Sequence, residues 1–249
     1  YVEAHINLGD AYGELGKHEE AIESYKQAIK LDPDDAWPHI NLGLTYSDLG
    51  KHEEAIESFK QVVRIDPDDA WPHINLGIAY DELGKYKEAI ESFKQAVKID
   101  PDNAFAHAGL GVAYGELDKY EEAIKSHKQA IRIDPDFALA HNGLGFAYYD
   151  SGKHQEAIES YKQAIEIDPD LALAHNNLGL AYCELGKYEE AIESHMQAIR
   201  IDPDYALAHY NLGLAYHYSN DRDSAIDQYK ILKKLDTELA NELFDLIYE

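Results

Sequence analysis

Histidine and cysteine are the side chains with the most chemistry to offer in this chain of 249 residues, which has 13 of the first and one of the second. Seven of the histidines, His5, His39, His73, His107, His141, His175 and His209, recur every 34 residues. A zinc ion needs its ligands about 2.0–2.1 Å away, whereas stacked helices lie roughly 8–10 Å apart. If the row stands on successive stacked helices, its members cannot share one ion, and they are expected to fill gaps between helices. His127 and His195 replace Tyr25, Phe59 or Tyr161 in an aromatic register and read as packing. Cys183 has no evident His–Asp arrangement to activate it. No HExxH, GxSxG or phosphate-cradling loop occurs. The chemistry on offer therefore implies no metal, no cofactor and no catalysis.

Two further polar lines suit binding better than reaction. Asn7, Asn41, Asn75, Asn177 and Asn211 share one register, interrupted by Gly109 and Gly143, and Asn176 stands one residue before it. An amide donates and accepts at once, which suits a polypeptide main chain. Glu14, Asp48, Glu82, Glu116, Asp150 and Glu184 form a second, acidic line.

The elements that position these lines come from one repeated unit, seen at its clearest from Leu171 to Asp204. Leu-Gly recurs from Leu8-Gly9 to Leu212-Gly213 and Ala-Ile from Ala21-Ile22 to Ala225-Ile226, always 34 residues apart. A fixed period of this length means stacked supersecondary units. Leu178, Ala181, Tyr182 and Leu185 fall at i, i+3, i+4 and i+7, the spacing of one helical face. Gly186 is the expected stop. Tyr188, Ala191, Ile192, His195, Ala198 and Ile199 repeat the pattern over a second helix, with Glu189-Glu190 in its first turn and Arg200 in its last, as the helix dipole favours. Asp202-Pro203-Asp204 ends it, and Asp204 is expected to cap the next helix. Glycine inside a helix costs about 1 kcal/mol against alanine. Seven such glycines in register, Gly9 to Gly213, predict a close approach of helix backbones. No single helix pair buries all these apolar faces, so neighbours must stack.

The order Leu178-Gly179, Ala181-Tyr182, Gly186, Tyr188, Ala191, His195, Ala198, Pro203, with His in one aromatic place, resembles the tetratricopeptide repeat. The resemblance covers essentially residues 2–249. It implies an all-α fold: a right-handed superhelical solenoid of seven 34-residue helix-turn-helix repeats plus a C-terminal capping helix. It also implies a concave groove lined by the first helices. In family members that bind extended peptides, Asn in the line above holds the peptide backbone. The family's carboxylate clamp uses Lys and Arg in this groove, and none stands at the Trp37, Ile40, Leu44 or Asp48 registers.

The expected organisation is a single array over residues 1–249, with repeats at about 1–33, 34–67, 68–101, 102–135, 136–169, 170–203 and 204–237 and a capping helix at 238–249. In repeat one, Glu3 and Asp10 replace later apolar residues. Repeats two and three share Asp-Pro-Asp-Asp-Ala-Trp-Pro-His-Ile-Asn-Leu-Gly, with Pro38 and Pro72 in a first helical turn, where a missing N–H does no harm. Asp118 stands where a turn glycine is expected, and an aspartate tolerates the left-handed conformation there. Repeat seven decays at Asn220, Arg222, Leu232 and Thr237. The stretch after it places Leu239, Leu243, Leu246 and Ile247 on one face, as a capping helix does; a helix that docks on a neighbouring molecule is the alternative.

On the first helices a second face is apolar as well. It carries Trp37, Ile40 and Leu44; Trp71, Ile74 and Ile78; Phe105, Ala108 and Val112; Leu139, Asn142 and Phe146; Leu173, Asn176 and Leu180; Leu207, Tyr210 and Leu214. A helix apolar nearly all round is either buried or presents a sticky surface. With the asparagine and acidic lines, this stripe predicts a non-catalytic scaffold. The expected ligand is an apolar or amphipathic protein segment with Lys or Arg beside its anchors. Ordinary helix packing is the alternative for the stripe itself.

Charge narrows the partner. Lys plus Arg is 22 against 48 Asp plus Glu, a formal net charge of −26. Such a surface repels phosphate backbones, so neither nucleic acid nor an anionic membrane is expected. The lone cysteine excludes a disulfide framework and fits a cytoplasmic location. No apolar run of about 18 residues and no signal peptide is visible. The chain starts at Tyr1 without Met, as a piece of a longer protein would. Two other functions stay open: self-assembly through the groove or residues 238–249, and a substrate-recruiting arm of a larger enzyme such as an O-linked glycosyltransferase.

Overall fold

The computed structural model describes residues 1–248, and among them it contains fifteen α-helices and no strands. The first helix of each repeat is α1 (Val2–Glu14), α3 (Ala36–Asp48), α5 (Ala70–Glu82), α7 (Ala104–Gly115), α9 (Ala138–Asp150), α11 (Ala172–Glu184) and α13 (Ala206–Tyr218). The second is α2 (His18–Leu31), α4 (His52–Ile65), α6 (Tyr86–Ile99), α8 (Tyr120–Ile133), α10 (His154–Ile167), α12 (Tyr188–Ile201) and α14 (Arg222–Leu235). The closing helix is α15 (Thr237–Tyr248). The helices group into two compact units, Tyr1–Ile133 with α1–α8 and Asp134–Glu249 with α9–α15. Within each unit the two helices of a repeat pack as a hairpin, and each second helix packs on the first helix of the next repeat.

Each hairpin turn follows from one residue. In repeat two, Gly50 has φ +67°, its N–H bonds the Ser47 carbonyl at 2.9 Å, and the Lys51 N–H reaches back to the Tyr46 carbonyl at 2.8 Å. That is the double bond pattern of a Schellman end. Asp118 takes the same conformation at φ 57° in repeat four, as does Asn220 at φ 65° in repeat seven. A left-handed non-glycine residue costs roughly 1–2 kcal/mol. Asp118 recovers part of it by accepting the Tyr120 hydroxyl at 2.6 Å. Asp118→Gly is therefore expected to raise the urea midpoint of unfolding, by a gain of up to about 1 kcal/mol.

The Asp-Pro-Asp corners are built differently from expectation. The first Asp, not the second, organises the corner: Asp32, Asp66, Asp100, Asp134, Asp168 and Asp202 each accept the N–H two residues on, at 3.1–3.3 Å. Asp204 lends its N–H to this turn and does not cap α13, whose N-cap is Tyr205 without a side-chain bond. Asp35 and Asp69 do cap α3 and α5, one residue later than expected.

The glycine register also proves to have a different physical cause. A Cβ on Gly43 would lie 2.6 Å from the Phe59 ring, and one on Gly77 2.6 Å from Phe93. The same notch takes Tyr25 at Gly9, His127 at Gly111, Tyr161 at Gly145 and His195 at Gly179. A ring from the second helix, not the second helix backbone, occupies the space. Repeat seven departs: its notch at Gly213 is filled by Leu243 of α15. Leu232, Ala240 and Leu243 are fully buried around it. Thr237 in place of a proline lets α15 start at once, with Asp236 accepting the N–H groups of Glu238 and Leu239. Glu249 lies outside the described residues.

Candidate functional site

Five of the seven histidines in the row have a structural role. The Nε2 atoms of His39, His107, His141, His175 and His209 lie 3.0–3.1 Å from the carbonyls of Pro33, Pro101, Pro135, Pro169 and Pro203. A carbonyl only accepts, so Nε2–H donates, and each ring ties a first helix to the corner preceding it. Among the described residues no three His, Cys, Asp or Glu side chains converge on a point that could hold a metal. Burial pushes the Cys183 thiol up to about 11, with Glu184 adding to it, so the thiolate is scarce at neutral pH.

The second apolar face of the first helices lies open. In the first unit Trp37 is 56% exposed, Ile78 49% and Phe105 65%, and Leu44 and Val112 are also exposed. Ile40 and Ile74 are half-buried beneath them. In the second unit Leu139, Phe146, Leu173 and Leu207 are exposed, while Leu180, Tyr210 and Leu214 are half-buried. Trp71 differs from its near-copy Trp37. Its ring meets Phe59 edge-on at 5.8 Å and is half-buried, because Phe59 turns an apolar edge toward it where repeat one has a tyrosine.

The acidic line stands on this same face. Asp48 follows Leu44, Glu82 follows Ile78 and Glu116 follows Val112 by four residues, one helical turn, and all three carboxylates are exposed. Asp150 and Glu184 repeat this after Phe146 and Leu180. Each sits at the C-terminal end of its helix, where the dipole disfavours an anion by about 0.3–1 kcal/mol. None of these helices has a basic residue in its last turn. Beside Glu82 and Glu116, Asp81 is half-buried, and desolvation with those two charges raises its carboxyl to about 6.

The asparagines do not form the free ladder expected of them. Asn177 donates to Asn142 Oδ1 at 3.1 Å, and Asn211 donates to Asn176 Oδ1 at 3.0 Å, all four side chains being buried. Asn176 Oδ1 also lies 3.1 Å from His195 Nδ1. Buried amides must be paired, and these pair with each other across adjacent first helices. The signal was present in the sequence: two neighbouring Asn registers bring partners 35 residues apart, one repeat plus one. In the first unit, Asn41 donates to Asp10 Oδ1 at 2.8 Å, and that same oxygen accepts the Tyr25 hydroxyl. Leu44 and Phe59 replace Asp10 and Tyr25 one repeat on, so Asn75 turns back to its own helix and donates to the Trp71 carbonyl. Gly109 interrupts the line because a Cβ there would lie 2.5 Å from the Phe93 ring.

Among the solved structures that resemble this chain over most of their own length are two at more than 25% identity. One is MamA, at 30% identity over 69% of this chain and 93% of that one, with a TM-score of 0.62. The other is YrrB, described as a tetratricopeptide repeat protein with an unusual peptide-binding site, at 27% identity over 75% and 96%, with a TM-score of 0.56. A tetratricopeptide repeat protein from Parabacteroides merdae shares the fold over 100% of this chain and 99% of its own, with a TM-score of 0.81 at 19% identity. No curated protein matches the chain. No described helix is long and apolar enough to cross a membrane. The model of the TPR repeat matches residues 9–50, 45–84, 79–118, 116–152, 147–186 and 179–219. With the hairpins, the Schellman turns and the ring-filled notches, these matches establish that the chain belongs to the tetratricopeptide repeat family.

Proposed function

We propose that this chain is a non-catalytic scaffold that binds an apolar or amphipathic protein segment on the open face of its first helices, with Lys or Arg of the segment placed beside its apolar anchors. One observation carries the reading: exposed large apolar side chains recur on this face, and four of them, Leu44, Ile78, Val112 and Phe146, have an exposed carboxylate one turn along. Exposed apolar side chains scattered singly are ordinary on a surface, but apolar patches larger than a few hundred Å² mark interaction sites. Carboxylates held against the helix dipole are locally unfavourable, and a basic ligand offsets that. The described peptide-binding site of YrrB, a relative of the same family, supports a peptide as the ligand class. The anchors are Trp37, Leu44, Ile78 and Val112 in the first unit, and Phe146, Leu180 and Leu214 in the second.

A display selection of random peptides against the chain tests this, run beside a variant with Leu44→Glu, Ile78→Glu and Val112→Glu. These side chains point into solvent, so circular dichroism of the variant should match the parent. Peptides enriched on the parent are expected to combine apolar anchors with Lys or Arg, and to lose at least ten-fold in affinity on the variant. Enrichment of peptides indifferent to all three substitutions would rule the surface out.

A further inference from the structure

The opposite side of the first helices carries a separate signal. Between successive second helices runs a cleft floored by the intervening first helix. Over α3 its floor is Leu42 and Tyr46 and its volume about 480 Å³; over α11 it is Leu178 and Tyr182, about 260 Å³. Over α7 the cleft is larger, about 700 Å³, with Leu110 and Tyr114 as floor and α8 as wall.

That wall breaks a charge rule kept by the rest of the chain. Six second helices place an acid at one register: Glu23, Glu57, Glu91, Glu159, Glu193 and Asp227. In three of them the acid pairs with the lysine three residues on: Glu57–Lys60 at 2.9 Å, Glu91–Lys94 at 3.9 Å and Asp227–Lys230 at 2.7 Å. In α8 this register holds Lys125, followed by Lys128 and Arg132. The three stand at i, i+3 and i+7, on one face and about 10 Å from end to end. All three are exposed at the cleft. Arg132 is steadied by donating to Gln129 Oε1 at 2.8 Å. The ammonium groups of Lys94 and Lys119 each lie 5.8 Å from the Tyr114 ring. Glu121 and Glu122 close the end of the cleft away from Arg132.

We propose that this cleft binds an acidic peptide segment, seating an aliphatic or aromatic side chain on Leu110 and Tyr114 and placing carboxylates against Lys125 and Arg132. The ridge is a local cationic site on a chain of net charge −26. A long polyanion is repelled by the surrounding acids, whereas a short segment with two or three carboxylates meets the ridge alone. Glu121 and Glu122 set its direction, with the most acidic end toward Arg132. The site is independent of the basic-segment surface on the other side of the same helices.

The test is a display selection of random 12-residue peptides on the full chain, with survivors measured by fluorescence anisotropy on the parent and two variants. Lys125→Glu restores the acid that the other second helices carry, so the fold tolerates it. The triple substitution Leu44→Glu, Ile78→Glu, Val112→Glu alters only the opposite face. The expected result is a class of peptides rich in Asp or Glu beside one apolar residue. Their affinity should fall at least ten-fold on Lys125→Glu, stay unchanged on the triple variant, and fall further as salt rises from 50 to 300 mM, consistent with screening at the Debye length. The absence of an acidic class, or acidic peptides that bind Lys125→Glu as well as the parent, would overturn the proposal.

Discussion

Replacing His127 and His195 by phenylalanine is expected to make the protein far more resistant to acid. Both imidazoles sit in the ring notch of their hairpin, 3% and 0% exposed, and burial pushes both down to about 4. In the unfolded chain a histidine titrates near 6.5. As pH falls below about 6.5 the unfolded state takes up protons that the folded state refuses, so stability drops until about pH 4 and then levels off. Each histidine contributes roughly 3 kcal/mol of acid destabilisation over that window. Phenylalanine fills the equivalent notches as Phe59 and Phe93, so the shape is already tested within the chain. The His127→Phe variant gains at neutral pH too, because the buried Nδ1 has no hydrogen-bond partner. Such an atom costs about 1–3 kcal/mol. His195→Phe also removes a buried unpartnered nitrogen, Nε2, but gains less because it gives up the 3.1 Å bond between Nδ1 and Asn176 Oδ1. Urea unfolding at pH 7.5, 6, 5 and 4.5 measures this. Parallel pH curves for parent and double variant would refute it.

Gly43→Ala is expected to destabilise although alanine is the better helix former. The substitution gains up to about 1 kcal/mol of helix propensity, yet its Cβ meets three atoms of the Phe59 ring at 2.6–2.9 Å. Phe59 is 1% exposed and its ring abuts Trp71, so it has nowhere to move. Overpacking of this kind costs typically 1–3 kcal/mol and occasionally more, for a net loss of about 2 kcal/mol. Gly13→Ala and Gly115→Ala are the controls: neither Cβ meets anything within 4 Å, and neither glycine has a positive φ. Both should stabilise, by a few tenths to about 1 kcal/mol. Pairing Gly43→Ala with Phe59→Leu should recover part of the loss, because the smaller side chain vacates the notch. Calorimetric melting of the five proteins decides it. If Gly43→Ala melts with Gly13→Ala, above the parent, the notch is not a steric constraint.

What could be read from the chain beforehand was whatever repeats. The period set the helix count, the hairpin turns and the residues facing the core, since seven copies averaged out local ambiguity. Asp118 is legible as a left-handed residue because the glycines at its register define the conformation required. The misreadings share one cause. They concern which side chain meets which across repeats, and periodicity alone does not report that. A buried ring and a neighbouring backbone both demand glycine, so the notch could not be told from a close helix approach. The asparagines of one register read as an interrupted line along the groove. Their partners lie one register over on the next repeat, and hydrogen bonding drew Asn142, Asn176, Asn177 and Asn211 inside. Lys125, a single charge reversal among seven copies, carries no weight in the sequence until a cleft is seen beside it.

The Leu243 side chain in the Gly213 notch has a consequence for how the molecule comes apart. In the other described notches a ring from the same hairpin fills the space, so those hairpins carry their own keystone and can open and close as separate cooperative units. Repeat seven borrows its keystone from the helix that follows. When α15 lifts away, the interior of the last hairpin empties at the same moment, and α13, α14 and α15 lose protection together. Helices α13, α14 and α15 are thus expected to exchange in one step of three, and the other hairpins two helices at a time.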